Sequence, residues 1–198
     1  MRSTGKEIIH SILVVSGSEQ FNTQFRQSLP DNLFVSLEYR KNATSARHQI
    51  LERWYDIVVI NVPLPDENGL ELAMDIAEQG HASVLIVAPS EIYEMVLEHV
   101  TDYGILAISK PSPKSRIEKG VRFLMKVQEK LSGIQQELQL ARNRLEELRI
   151  VNKAKFLLVE RRHMTEEEAH RHIGKLAMDQ RISRQKAAEE IIDDFEGL

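Results

Sequence analysis

The chain of 198 residues contains no cysteine. That excludes a disulfide framework and any thiolate-ligated metal. No stretch approaches the roughly 20 consecutive apolar residues that a membrane-spanning helix needs. The opening MRSTGKEIIHSILVV has no small-residue cleavage site behind a long apolar core, so no secretory leader is expected and the cytoplasm is the expected compartment. There is no excess of basic charge either: the formal net charge is -4 and the pI about 6.0. Nucleic-acid binding spread over the whole surface is therefore excluded, and any such binding must come from a local patch. Internal repeats and low-complexity segments are also lacking. What remains is 42% hydrophobic and 28% charged, enough to bury a real core in one ordinary domain of about 100–150 residues with a smaller piece beside it.

The first part alternates short apolar runs with amphipathic stretches. SILVV (11–15) reads as a buried strand, and EQFNTQFRQSL (19–29) as a helix with Phe21, Phe25 and Leu29 on one face. LFVSLEY (33–39) alternates as a strand, and ATSARHQILERW (43–54) is helical. DIVVIN (56–61) is a second buried strand, NGLELAMDIAEQG (68–80) a helix stopped by Gly80, and SVLIVA (83–88) a third buried strand. Residues 90–100 predict a helix and GILAIS (104–109) a last strand, after which SPKSRIEKG opens a long helix. Parallel strands need helical crossovers, so this alternation predicts a doubly wound parallel sheet. In such sheets chemistry gathers at the C-terminal tips of the strands. The tip of the second buried strand carries Asn61, a neutral amide that is a poor nucleophile and a weak metal ligand.

From Leu124 to Asn152, apolar side chains recur at steps of three and four. Leu124, Leu131, Leu138 and Leu145 fall at heptad position a, and Val127, Ile134, Ala141 and Leu148 at d. Glu137 and Arg142 would attract across a parallel dimer, whereas Arg144 and Arg149 would repel. Asn152, at an a position, is the type of polar residue that sets register, and Gly133 weakens the helix by about 1 kcal/mol. Two readings stay open, a helix packed on its own chain and a homodimeric coiled coil. About four unbroken heptads with no competing apolar face favour the homodimer. The last part has no β-branched runs. AKFLLVERR is helical, Thr165 with Glu168 forms a capping box before a second helix, and Ser183 caps a third. The expected division is 1–123 for the α/β domain, 124–149 for a coiled-coil linker and 150–198 for a three-helix bundle.

Over about residues 10–125 the motifs ILVVSGSE, DIVVINVPLPDENGLEL, SVLIVA and ISKP resemble the receiver domain of two-component response regulators. The resemblance implies a flavodoxin-like (βα)5 fold. In that family an acidic pair holds Mg²⁺, an aspartate at the third strand accepts a phosphoryl group, a Thr or Ser ends the fourth strand, and a Lys before Pro ends the fifth. Here the acidic pair falls on Ser16 and Gly17, the acceptor on Asn61, the hydroxyl position on Ala88 and the aromatic switch position on Ala107. Lys110, followed by Pro111, alone matches. Mg²⁺ needs hard anionic oxygens and phosphotransfer needs a carboxylate, so the site is expected to be inert. Lys110 is then expected to hydrogen-bond Asn61 or the loop carbonyls. A metal site relocated to Glu19, Asp66 or Glu67 is the alternative.

Residues 148–195 resemble the ANTAR domain, an RNA-binding antiterminator module, through AKFLLVER (154–161), TEEEAHRHIGKLAMD (165–179) and RISRQKAAEEII (181–192). Phe156 stands at a small, glycine position of the pattern and Val159 at a Met position. The resemblance implies binding to paired stem-loops in a nascent transcript. Lys155, Arg161, Met178 and Arg181 sit at matching positions and are the expected RNA contacts. Between Lys153 and Lys186 basic side chains outnumber acidic ones by about two to one, as phosphate binding requires. His163, His170 and His172 invite a metal reading, but His170 and His172 are two apart on a helix and face different ways. The expected protein is a non-enzymatic antitermination regulator: a dimer whose receiver is not phosphorylated, without cofactor or metal, and with RNA as its partner. A signalling protein or a ligand on the receiver face is a further expected partner. The competing readings are an interaction module, in which the receiver docks on a signalling partner and the helical part only dimerises, and a phosphotransfer switch with a nonstandard acceptor.

Overall fold

A computed structural model describes residues 10–30, 33 and 35–196. Expectations that rest on residues 1–9, 31, 32, 34, 197 and 198, the leader assignment among them, lie outside the described residues. The elements run β1 (His10–Val15), α1 (Glu19–Ser28), β2 (Val35–Arg40), α2 (Ala43–Glu52), β3 (Ile57–Asn61), α3 (Leu70–Gln79), β4 (Ser83–Pro89), α4 (Tyr93–Val100), β5 (Leu106–Lys110), α5 (Lys114–Arg162), α6 (Glu166–Gln180) and α7 (Arg184–Glu196). The chain forms two compact units, Met1–Leu131 and Ser132–Leu198.

In the first unit five parallel strands stand in the order β2-β1-β3-β4-β5, the flavodoxin-like arrangement. The continuous Val/Ile runs reflect burial on both faces. Alternate residues divide between two cores. Leu13, Val15, Val58, Ile60, Val84 and Ile86 pack under α2, α3 and α4. Ile12, Val14, Ile57, Val59, Leu85 and Val87 pack under α1 and α5. The edge strand β2 is only half-buried and carries Glu38 and Arg40, charges that discourage edge-to-edge pairing. Several predicted ends of these elements coincide with the observed ones and the rest differ by one to three residues. The largest shift is at the fourth helix, where Ser90 and Ile92 make turn hydrogen bonds before the helix starts at Tyr93.

The start of α5 belongs to this core. Ile117, Val121, Leu124 and Met125 are buried against the sheet. At Gly120 a Cβ would meet Ile108 Cδ1 at 2.9 Å, so glycine lets the helix close onto β5. Buried Gln128 donates to the carbonyls of Asp56 (2.8 Å) and His81 (3.0 Å), pinning the helix to the starts of β3 and β4. Here the structure departs from the heptad reading. Leu124 is only 3% exposed and is a core residue of the first unit, so it is not available to a second chain. Burying an aliphatic side chain to this degree is worth about 1.5–3 kcal/mol, which holds it in place.

In the second unit the end of α5, α6 and α7 enclose Ala154, Leu158, Ala169, Ile173, Ala177, Ala187, Ala188, Ile191 and Ile192. Five of these are alanines, so the helices approach closely around Leu158 and Ile173. The capping box forms as the sequence predicts: Thr165 Oγ1 accepts from the Glu168 N–H (3.2 Å) and Glu168 Oε2 from the Thr165 N–H (2.8 Å). Ser183 Oγ accepts from the Lys186 N–H (3.1 Å) at the start of α7. Among the described residues two non-glycine residues take the left-handed conformation, His163 after α5 and Arg181 after α6, each with φ 57°. Both act as helix stops; the Arg181 N–H returns to the Met178 carbonyl and the Ile182 N–H to that of Ala177. Phe156 is 63% exposed, so the bulky residue at the pattern's small position does not enter the bundle core.

Candidate functional site

The tips of β1, β3 and β5 bring Ser16, Asn61 and Lys110 together where strand order reverses in the sheet. Asn61 is buried and its amide is used at both ends. Its Nδ2 donates to Ser16 Oγ (2.9 Å), and its Oδ1 accepts from Lys110 Nζ (2.6 Å). Lys110 Nζ also donates to the Val62 carbonyl (2.8 Å). The lysine therefore bonds both the asparagine and a loop carbonyl, as its lost anionic partners predict. Burial pushes the Lys110 ammonium below its ordinary pKa, since no opposite charge beside it offsets the loss of water. Ser16 Oγ further accepts from the Ser18 N–H (3.1 Å), tying the β1–α1 turn to the same network. Ser16 Oγ thus accepts from both the Asn61 amide and the Ser18 N–H, using both of its lone pairs.

Ala88 is fully buried at the end of β4 and offers no hydroxyl, and Ala107 is half-buried on β5. Gly17 holds a feature that its sequence position does not reveal. A Cβ there would meet Pro65 Cγ at 2.6 Å and Cδ at 3.2 Å. The proline ring occupies the room that a carboxylate side chain at 17 would need. The adjacent Asp66 anchors that ring. Asp66 accepts from the N–H groups of Ala43 (2.9 Å) and Thr44 (3.0 Å) and from Thr44 Oγ1 (2.9 Å), at the N-terminus of α2. The Thr44 amide above all, aided by the Ala43 amide, holds the Asp66 carboxyl down to about 2. Glu67 takes Arg47 at 2.7 Å. Two of the three carboxylates named for a relocated metal, Asp66 and Glu67, thus hold the β3–α3 loop to α2, while Glu19 starts α1. Among the described residues no group of three His, Asp or Glu side chains is placed to hold a metal ion.

In the second unit the four expected RNA residues do not converge on one point. Lys155, on α5, bonds Glu166 at the start of α6 (2.8 Å) and is largely covered. With His170 and Arg171 it lines a recess of about 460 Å³. Arg161 is exposed at the end of α5. Met178 and Arg181 lie at the far end of α6, on the order of 18 Å from its first turn at 1.5 Å per residue. Met178 is 80% exposed while its neighbour Ala177 is core, which separates two residues that the sequence left ambiguous. Arg171 is not singled out by the pattern; its place beside Lys155 comes from the antiparallel turn between α5 and α6. Along α5, Leu131, Ile134, Leu138, Leu145 and Leu148 are between 44% and 60% exposed, and Ala141 is exposed with them. Val127 is half-buried.

The chain matches the family model of the response regulator receiver domain over residues 12–122 and that of the ANTAR domain over residues 139–192. It is 27% identical over 139 residues to the transcriptional regulatory protein PdtaR of Mycobacterium tuberculosis, in strains CDC 1551 / Oshkosh and ATCC 25618 / H37Rv, covering 70% of this chain and 67% of PdtaR. Two solved structures share the fold of the first unit. The signal receiver domain of an HD domain-containing protein from Pseudomonas fluorescens Pf-5 matches with a TM-score of 0.59 at 20% identity, over 67% of this chain and 98% of that one. A CheY-like receiver domain protein from Methanospirillum hungatei JF-1 matches with a TM-score of 0.56 at 18% identity, over 62% and 98%. Among the described residues no helix is long and apolar enough to cross a membrane. Receiver, ANTAR domain and PdtaR similarity together support a transcription regulator of the antitermination type that binds RNA. This chain belongs to the response regulators, with a receiver domain followed by a C-terminal ANTAR domain.

Proposed function

We propose that this regulator binds paired RNA stem-loops as a homodimer, and that its receiver takes no phosphoryl group. The observation that carries the second clause is the Asn61 network: an amide bonded at both ends to Ser16 and Lys110, with the Pro65 ring in the place of an acidic side chain at 17. No oxygen there bears a charge to hold Mg²⁺, and no carboxylate is present to form an acyl phosphate.

The dimer reading rests on the exposed apolar stripe from Leu131 to Leu148, whose heptad spacing suits a second copy of the same helix. A coiled coil carries two ANTAR modules into one complex. Binding of the second hairpin then becomes intramolecular, and a two-hairpin RNA gains affinity by about 10²–10⁴ over a single hairpin without any new contact. Lys155, Arg161, Met178 and Arg181 would contact the RNA along α6 and the end of α5. A stem-loop is long enough for such a spread face. The Lys155–Glu166 pair is exposed on its acidic side and screened by solvent, so a phosphate can displace it.

Salt-dependent binding of the full chain to one-hairpin and two-hairpin RNAs tests the reading. The two-hairpin RNA should bind more tightly, and Lys155→Ala with Arg181→Ala should lower the salt slope by somewhat under two units while the dimer persists. Unchanged RNA affinity in that variant would remove these residues from the interface. The interaction-module reading has one observation of its own. Leu51 and Trp54 are exposed beside a recess of about 290 Å³ bounded by Ile50, Tyr55 and Ile76, a surface that suits a protein partner. Absence of salt-sensitive RNA binding would favour it.

A further inference from the structure

On the side of the sheet covered by α1 and α5, a cavity of about 710 Å³ opens beside Asn61. Its polar lining includes Gln24, Gln27, Asn61, Lys110, Ser112 and Lys114. Among the described residues that line it, two are cations and none is acidic. That is an unusual balance in a chain of net charge -4.

The lysines are incompletely matched. An ammonium has three N–H donors. Lys110 uses them on Asn61 Oδ1 and the Val62 carbonyl, both neutral acceptors, and forms no salt bridge among the described residues. A half-buried cation with only neutral partners is costly, and an anion beside it removes the cost. Lys114 reaches only Gln27 Oε1, at 3.3 Å. Ser112 Oγ is buried with no hydrogen-bond partner, in the turn between the two lysines. Phe21, Phe25, Val87 and Ile117 supply apolar walls, so the recess combines convergent polar groups with apolar surface in the manner of a small-molecule site.

We propose that this cavity between α1 and α5 binds a small anion bearing a phosphate or carboxylate group, held non-covalently by Lys110 and Lys114 with Ser112 as a further donor. The inference rests on the reading that Asn61 is not phosphorylated, and it gives the receiver a chemical input of a different kind. Binding requires no divalent metal, because the cavity itself supplies the positive charge.

The test is a chemical-shift titration of the full ¹⁵N-labelled chain, in EDTA and at constant ionic strength, with inorganic phosphate in one arm, benzoate in a second and chloride as control. Expected is saturating movement of amides in α1 and the β5–α5 turn with phosphate, benzoate or both, and the arm that saturates identifies the anion class. Lys114→Gln, an exposed change that leaves the Asn61 network intact, should weaken that binding about tenfold or more. Lys41→Gln, outside the cavity, should leave it unchanged. Absence of saturation in both arms, or equal affinity in Lys114→Gln and the parent chain, overturns the proposal. Covalent phosphorylation is read separately, by intact mass after acetyl phosphate with Mg²⁺. A stable mass increment there would defeat the reading of an unphosphorylated receiver and not the measured anion binding.

Discussion

Restoring an acidic side chain at position 17 should fail for a steric reason before chemistry is reached. Gly17 does not occupy a left-handed conformation, so its backbone accepts any residue; what it lacks is room. The first atom added, Cβ, would sit 2.6 Å from Pro65 Cγ, well inside the distance of real carbon contacts. Pro65 cannot swing aside, since Asp66 next to it holds three hydrogen bonds to the first turn of α2. Overpacking of this kind costs about 1–3 kcal/mol. Gly17→Asp should therefore lower the unfolding free energy of the first unit, read from urea melts, by that amount, and Gly17→Ala, which has the same Cβ, by nearly as much. Trp54, the one tryptophan of the chain, lies in this unit edge-on to the His81 ring, so its fluorescence reports the transition. Pro65→Ala removes the offending ring atoms, and the double variant with Gly17→Ala should recover most of the loss, a coupling of about 1–2 kcal/mol. If Gly17→Asp is as stable as the parent chain, or if Pro65→Ala does not relieve Gly17→Ala, the argument that the proline has closed the acidic pocket is wrong.

Other contacts carry their own expected outcomes. Under the proposed function the full chain should sediment as a dimer and Ile134→Asn with Leu138→Asn as a monomer, without shifting the Trp54 transition, because both side chains are exposed on the single chain. Ile173→Ala, at the centre of the bundle core, should destabilise the second unit by about 2–5 kcal/mol in thermal melts followed by far-ultraviolet circular dichroism. Asp66, held down to about 2, takes up its proton at lower pH in the folded chain than in the unfolded chain. The stability it supplies is present above about pH 4 and is lost as pH falls toward 2, and Asp66→Asn should flatten the urea midpoint across that window relative to the parent.

The fold was legible in the sequence wherever burial dictated pattern. Ile57–Asn61 is buried at every position and reads as an unbroken apolar strand, and Thr165 with Glu168 announces the start of α6 through two local hydrogen bonds. The departures at Ser16, Gly17, Asn61 and Ala88 were legible as composition, because each is a single residue in a known order. Their packing was not. That Pro65 fills the space at Gly17 depends on a contact across 48 positions that no local pattern encodes. Leu124 shows the other limit. A heptad and the buried face of a crossover helix share the same spacing of three and four, so periodicity alone could not say that the sheet, rather than a second chain, would claim it. The wide spacing of Lys155 and Arg181 was hidden for a similar reason: Lys155, on α5, pairs with Glu166 at the start of α6, whereas Arg181 follows the far end of that helix, a length that appears only once the helix is drawn at its real rise.

Under the proposed function, the amide at position 61 changes the kind of control this protein exerts. Phosphorylation shifts a receiver because the aspartyl phosphate interacts differently with two conformations, and a ligand with equal affinity for both shifts nothing. The Asn61 network contains no carboxylate, and its one ionisable group, Lys110, is held by two neutral oxygens. Under the proposed function, output then depends on assembly. The fraction of chains carrying two ANTAR modules rises with protomer concentration by mass action. An anion seated beside Lys110 could alter that balance only through unequal affinity for the monomeric and dimeric chain. Equal affinity in the parent chain and in Ile134→Asn with Leu138→Asn would restrict such an anion to stabilising the first unit, whereas a difference between them would make it a regulator of dimer assembly.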